Sequence, residues 1–406
     1  MNTELRIAVI GAGPAGVYSS DIFLRQLKKL GEELGLGTEA RIDLFEKLPV
    51  PFGLVRYGVA PDHPSIKFIA SALEKTLDNP NIHLYCDVEF GKDVTLDDLL
   101  ARYDAVLFAT GAVKDKPLNL PGADLEGVYG AAKFVEWYDG YPTGAREWPL
   151  TAENVAVIGG GNVAMDVART SLRLGAASVT VVYRRRIEDM TAQREEIEGA
   201  IAEGCEIMEL AAPLRVLEED GCVAGLEVQP QVIGKFDRGR PKPVKADTPP
   251  RVVECDRVLM AVGQAVGASE LGSNELPVEW GKVVTSPFGQ VEGMEGVFCG
   301  GDCESGPATV IRAIAAGKAA ARNIDEFLGF DHVIEQDVEI PAPHAADRMP
   351  CGRSNTTERS AEVRRRDFAM MECGLTDQEA AQESNRCLRC DKFGLGAFRG
   401  GRELSW

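Results

Sequence analysis

The sequence is poor in positive charge for its length. Of 406 residues, 44 are Lys or Arg against 63 Asp or Glu, which leaves a formal net charge of −19. So acidic a chain repels phosphate polymers, and this excludes nucleic acid and anionic membrane surfaces as default partners. It also lacks any uninterrupted apolar run near the ~20 residues that a membrane helix needs. Cysteine is sparse and scattered, ten residues that mostly stand singly, which argues against a disulfide-stapled secreted scaffold. The opening MNTELRIAVIGAG enters a strand-like run at once, so no signal peptide and a cytoplasmic location are expected. Glycine, by contrast, is abundant: 43 residues, about 11% against a usual share of roughly 7%. The 45% apolar content is ordinary for a globular chain, and the length suggests two to three domains of roughly 150 residues each.

The glycines gather at three places. The first follows the β-branched run RIAVI (6–10) and reads Gly11-Ala12-Gly13-Pro14-Ala15-Gly16, before a helical VYSSDIFLRQLKKL. Strand, G-x-G-x-x-G and helix together make a dinucleotide-binding turn. Gly11 permits the tight turn, Gly13 lets pyrophosphate approach the backbone, and Gly16 lets helix pack on strand. The helix N-terminus then offers unpaired N–H groups to the phosphates. A second strand, Ile42 to Phe45, is predicted to end in Glu46, placed to accept ribose hydroxyls. Glu46 stands 30 residues after Gly16, where ~20 is usual; the GEELGLGTEA stretch accounts for the surplus.

The second place repeats the first. VAVI (155–158) leads into Gly159-Gly160-Gly161-Asn162-Val163-Ala164 and a helical DVARTSLRLG. The strand Ser178 to Tyr183 then ends in Arg184-Arg185-Arg186 rather than an acid. Guanidinium groups there suit a 2′-phosphate, which favours NADP(H); a solvated basic strand end is the plainer alternative. Glu195 and Glu196 follow in a helical segment as candidates to orient those arginines or the nicotinamide ribose.

The third place is a strand ending in Gly300-Gly301-Asp302, then Ser305-Gly306-Pro307-Ala308-Thr309-Val310-Ile311 and a small-residue helix. Asp302 can bind a ribityl hydroxyl, and backbone N–H groups of Thr309, Val310 and Ile311 can face the pyrimidine end of a flavin. Leu54, Val88 and Gly111 are further candidate wall residues. Two fingerprints with different ribose endings imply two dinucleotides, FAD at the first and NADP(H) at the second. A spacing of about 145 residues between the two turns suggests a duplicated α/β module. The expected fold is α/β, with two Rossmann-like dinucleotide-binding domains and a cysteine-bearing helical tail. The FAD domain would be discontinuous (1–112 and 296–330), with the NADP(H) domain (113–295) inserted. A linker (331–350) and the tail (351–406) would follow.

Two segments carry a family resemblance. Residues 48–64, LPVPFGLVRYGVAPDHP, and 134–140, FVEWYDG, are similar to adrenodoxin reductase-type ferredoxin–NADP(+) reductases, within the two-dinucleotide-binding-domain flavoproteins. Tyr183 to Ala192 and Gly301 to Ile311 resemble the small subunit of NADPH-dependent glutamate synthase, with Thr191 where that family has proline. The resemblance implies a flavoenzyme that takes hydride from NADPH to FAD and passes electrons to an iron–sulfur acceptor. It implies Arg56 and His63 near the isoalloxazine, His63 either tuning flavin protonation or simply buried and hydrogen-bonded. Disulfide reductases of this superfamily need two neighbouring thiols, commonly C-x-x-C. Before residue 350 the one close pair is Cys299 and Cys303, on the flavin-binding strand and turn, and both read as packing residues.

The tail holds Cys351, Cys373, Cys387 and Cys390. Its GLTDQEAAQESNRCLRC is similar to the stretch opening the iron–sulfur domain of glutamate synthase small subunits, so the four cysteines are candidate cluster ligands; a docking helix with remnant cysteines, or a zinc site, are the alternatives. From Cys351 onward the chain carries 10 Lys+Arg and 9 Asp+Glu, so the preceding 350 residues carry 34 − 54 = −20. The near-neutral tail is therefore the expected face for an acidic electron-transfer partner. Three functions compete: a free-standing ferredoxin–NADP(+) reductase, the NADPH-oxidising subunit of a glutamate synthase-like or other large iron–sulfur enzyme, and a non-enzymatic NADP(H)-binding assembly subunit.

Overall fold

Buried Val, Ile and Ala runs build two parallel sheets, each covered on both faces as such runs require. A computed structural model of the chain describes residues 5–34, 40–112, 114–141, 153–237, 239–267, 271, 276–330 and 352–386. The first sheet runs, from edge to edge, Val297–Cys299, Ala105–Phe108, Leu5–Ile10, Ala40–Phe45 and Ile82–Tyr85. Every pairing in it is parallel. The second runs Val128–Gly130, Arg257–Met260, Asn154–Ile158, Ser178–Val182 and Glu206–Met208, again all parallel. Each glycine turn leaves the central strand of its sheet, where an open α/β sheet offers a ligand crevice.

The sheets differ in how the chain supplies the edge beside the fourth strand. In the first, that edge (Val297–Cys299) comes after the whole second sheet; in the second, it (Val128–Gly130) comes before the glycine turn. The first unit is therefore discontinuous and the second inserted. A two-stranded ribbon, Lys114–Asp115 with Gln264–Ala265, marks both crossings between them. An antiparallel sheet (Ala211–Glu219, Cys222–Asp237, Arg240–Lys245, Arg251–Val253) grows out of the second unit.

The helices Pro14–Leu34 and Val310–Phe327 pack side by side over the first sheet. Their approach is set by Gly317, where a Cβ would sit 2.6 Å from the Ala15 carbonyl oxygen. Of the tail, residues 352–386 are described, with short helices at Ala361–Arg364 and Asp377–Arg386. The expected linker, Cys351, Cys387 and Cys390 lie outside the described residues. No helix among the described residues is long and apolar enough to cross a membrane.

Candidate functional site

The first turn is tight for reasons its glycines explain. Gly11 has φ +108, and a Cβ there would lie 2.4 Å from the Ala109 carbonyl oxygen; one on Gly16 would lie 2.1 Å from that of Gly11. Gly13 is the opposite case, with nothing within 4 Å of a Cβ, so its bare backbone faces open space. Glu46, at the end of the second strand, is buried and accepts the Ala12 N–H at 2.9 Å and the Leu48 N–H at 3.0 Å. Burial pushes its carboxyl above the usual range. Around these groups lies a cavity of about 440 Å³, walled by Gly13, Pro14, Ala15, Leu54, Val88 and Gly111, with Asp302, Thr309 and Val310 opposite.

This cavity suits an extended, hydroxyl-bearing dinucleotide such as FAD. Asp302 Oδ1 is buried with no hydrogen-bond partner, and burial pushes the carboxyl up to about 6. A buried acceptor left in this state calls for a donor from a ligand. Gly16 and Gly301 do their work behind the wall: Gly301 has φ +83 and a Cβ on it would sit 3.0 Å from Ala15 Cβ. Ile311 is not part of the wall; its side chain is 79% exposed.

The second turn opens the helix Asn162–Arg173 after Gly161. The loop that follows the arginine run folds over it. Thr191 and Ala192 donate N–H bonds to the Gly160 carbonyl at 2.9 and 3.1 Å, and the Gln193 N–H reaches Asn162 Oδ1 at 2.8 Å. Thr191 thus supplies a backbone donor that proline could not. The resulting cavity, about 450 Å³, is walled by Gly159, Gly161, Asn162, Val163, Arg184 and Arg185. Ala164 is fully buried beneath it. A third cation, Arg240, enters the wall from the antiparallel sheet, whose Pro241 carbonyl accepts Arg185 Nε at 2.9 Å. Three guanidinium groups beside a helix N-terminus fit a phosphorylated dinucleotide. Arg186 is turned away onto Glu188 and Asp189. The two cavities meet along one segment: Pro307 walls the second, while Ala308, Thr309 and Val310 wall the first.

Three candidate residues lie off the cavity walls. Arg56 is not on the wall of the first cavity; it is exposed, bound to its own loop through the Pro51 carbonyl at 3.2 Å, over the Phe52 ring. His63 is not on that wall either, because three carboxylates draw it to the interface of the two units. Its Nε2 lies 3.4 Å from Asp166 Oδ1 and 3.9 Å from Asp62 and Glu196. The hydrogen bond to Asp166 holds the imidazole above its ordinary pKa against the effect of burial, with the charges of Asp166, Asp62 and Glu196 adding to the shift. Glu196 is not in the second cavity and orients none of the arginine run: it pairs with Arg169 at 2.5 Å.

Cys299 and Cys303 are buried behind the first cavity with sulfurs 3.1 Å apart, Cys303 facing the Phe108 and Gly300 carbonyls at 3.3 Å. Cys373 is exposed in the tail, its N–H bound to the Thr357 carbonyl. Sequence reasoning missed Arg240 because no spacing ties it to the turn; the one signal was the basic RGRPKPVK stretch.

Two glycine-turn cavities on one α/β frame invite comparison with known families. Residues 5–317 match the model for pyridine nucleotide-disulphide oxidoreductases. The chain belongs to that family. Over 97% of its length it is 31% identical to the NADPH-Fe(3+) oxidoreductase subunit beta of Geobacter sulfurreducens, covering 62% of that protein. It is 40% identical over 47% of its length to the mitochondrial NADPH:adrenodoxin oxidoreductase of Drosophila melanogaster, covering 39% of it. Mycobacterium tuberculosis FprA, solved in complex with NADPH, shares the fold: TM-score 0.72, 24% identity, 80% of this chain and 85% of that one. The chain spans about half to two thirds of the length of curated relatives that it matches over 97% of its own length.

Proposed function

We propose that this chain is an FAD-dependent NADPH oxidoreductase that delivers electrons to an iron–sulfur acceptor. The observation that carries the reading is the segment Pro307 to Val310, which borders both cavities and so joins the two candidate dinucleotide sites. When bound, the nicotinamide and the flavin supply the hydride chemistry; the chain supplies position and electrostatics. Asp302 and Glu46 accept ligand hydroxyls, and the bare backbone at Gly13 admits pyrophosphate. Arg184, Arg185 and Arg240 bind the 2′-phosphate. No side-chain base is required for hydride transfer. The free thiols among the described cysteines suit a reducing cytoplasm.

The experiment is reduction of flavin in the purified chain. We expect a yellow protein bleached by NADPH. Exchanging Arg184→Glu with Arg185→Glu is expected to raise the KM for NADPH by roughly 100-fold or more, at about 1.5–3 kcal/mol for each charge-assisted contact, while sparing NADH. A colourless preparation after flavin loading, or unchanged NADPH kinetics in the double variant, counts against the reading.

A second reading, a subunit of a larger iron–sulfur enzyme, is favoured by one observation. The match that extends over 97% of the chain, tail included, is to a protein named as a beta subunit. Activity that appears only with a co-purifying partner distinguishes it from a free-standing reductase acting on ferredoxin.

A further inference from the structure

Glu203 ends the helix Arg194–Glu203 and its side chain is fully buried. A buried carboxylate persists only among cations and hydrogen bonds. Three guanidinium groups converge on this one: Arg169 at 2.6 Å, Arg173 at 2.9 Å and Arg364 at 2.9 Å. Arg169 and Arg173 belong to the helix Asn162–Arg173, but Arg364 arrives from the tail, 161 residues beyond Glu203, and is 5% exposed. Its carbonyl accepts Arg173 Nε at 3.1 Å, and its guanidinium also pairs with Glu358. The same tail lays Met371 sulfur 2.7 Å from Arg169 and the Phe368 ring 6.0 Å from Arg173.

Both inner arginines divide their nitrogens between Glu203 and a carboxylate beside His63. Arg173 binds Asp62 Oδ2 at 2.6 Å and Arg169 binds Glu196. The other Asp62 oxygen is buried, has no hydrogen bond and lies 3.9 Å from His63 Nε2. The groups that surround His63 are Asp62 on its own loop, Asp166 with Arg169 and Arg173 on the second-turn helix, and Glu196 on the next helix. The Tyr138 hydroxyl is buried beside Asp166 and Asp62.

We propose that the tail 352–386 acts on the interface between the two dinucleotide units through Arg173, and that Arg364 and Arg173 are positioning residues that hold Asp62 in place against His63. Remove Arg364, and Glu203 keeps only two cations. Arg173 is then drawn toward Glu203, and Asp62 stands less neutralised beside the imidazole. The lost positive charge and the freed carboxylate both favour the imidazolium, so both shift the His63 titration the same way, upward. A strut with no such coupling would change thermal stability and leave that titration unmoved.

The test is imidazole titration by NMR in the full chain with labelled histidine. There are four histidines, and His63→Gln assigns the signal. Arg364→Met is expected to raise the His63 midpoint by about half a unit or more, and Arg364→Lys to return it toward the starting value. Should Arg364→Met fail to fold, Arg364→Gln removes the same charge while keeping a hydrogen-bond donor for Glu203, and is expected to shift the midpoint upward as well. An unmoved midpoint in folded Arg364→Met, or in Arg364→Gln where that is the variant measured, overturns the proposal. So does a lysine variant that shifts as far as the methionine one. The readout requires neither flavin nor NADPH, so it stands or falls apart from the reductase reading.

Discussion

Asp302 is a carboxylate held where nothing donates to one of its oxygens, with its carboxyl near 6 because burial disfavours the charge. In the flavin-free protein the native state therefore binds this proton more tightly than the unfolded chain, whose aspartates titrate near ~3.9. Stability is expected to fall as pH rises from about 4 to about 6 and to level off above. Asp302→Asn should remove that slope, and melting curves of the flavin-free protein across this range check it; an unchanged slope rejects the assignment. Asp302 was legible in the sequence because a Gly-Asp at a strand end is a local pattern. The His63 surroundings were not. Asp166 and Glu196 lie more than a hundred residues from His63, and only tertiary folding brings their charges to it. Arg240 was hidden for the same reason.

Among elements, the pair of helices Pro14–Leu34 and Val310–Phe327 fixes the first cavity, since one begins at the glycine turn and the other at the segment shared with the second cavity. Gly317 lets them touch, backbone against backbone. Gly317→Val must displace the Ala15 carbonyl and is expected to cost about 2–3 kcal/mol in chemical denaturation, with loss of retained flavin. A variant that keeps full stability would show that the helices can part freely. Both glycine turns and their strands could be read directly, because a tight turn beneath a ligand demands particular residues at particular places. The antiparallel sheet at 211–253 carries no such demand, and its part in closing the second cavity emerged only from the pairing of Arg185 with Pro241.

For the whole molecule, the uneven charge seen in the sequence acquires a structural counterpart: the acidic body meets the tail through Glu203, and the tail answers with Arg364. Whether that tail also carries a cluster is a matter of composition. An iron–sulfur group held by Cys351, Cys373, Cys387 and Cys390 predicts about four irons and four acid-labile sulfides per chain. Values near zero in anaerobically purified protein would leave docking as the tail's role.

The order of strands has a temporal consequence. A ribosome adds residues from the N-terminus, and domains ordinarily complete themselves in that order. Here the second sheet owns all its strands once Met260 has been made, whereas the first waits with an open edge beside Ala105–Phe108 until Cys299 appears. The later-encoded unit is thus the first to be finished during translation, and the nascent chain must carry an incomplete N-terminal sheet past it.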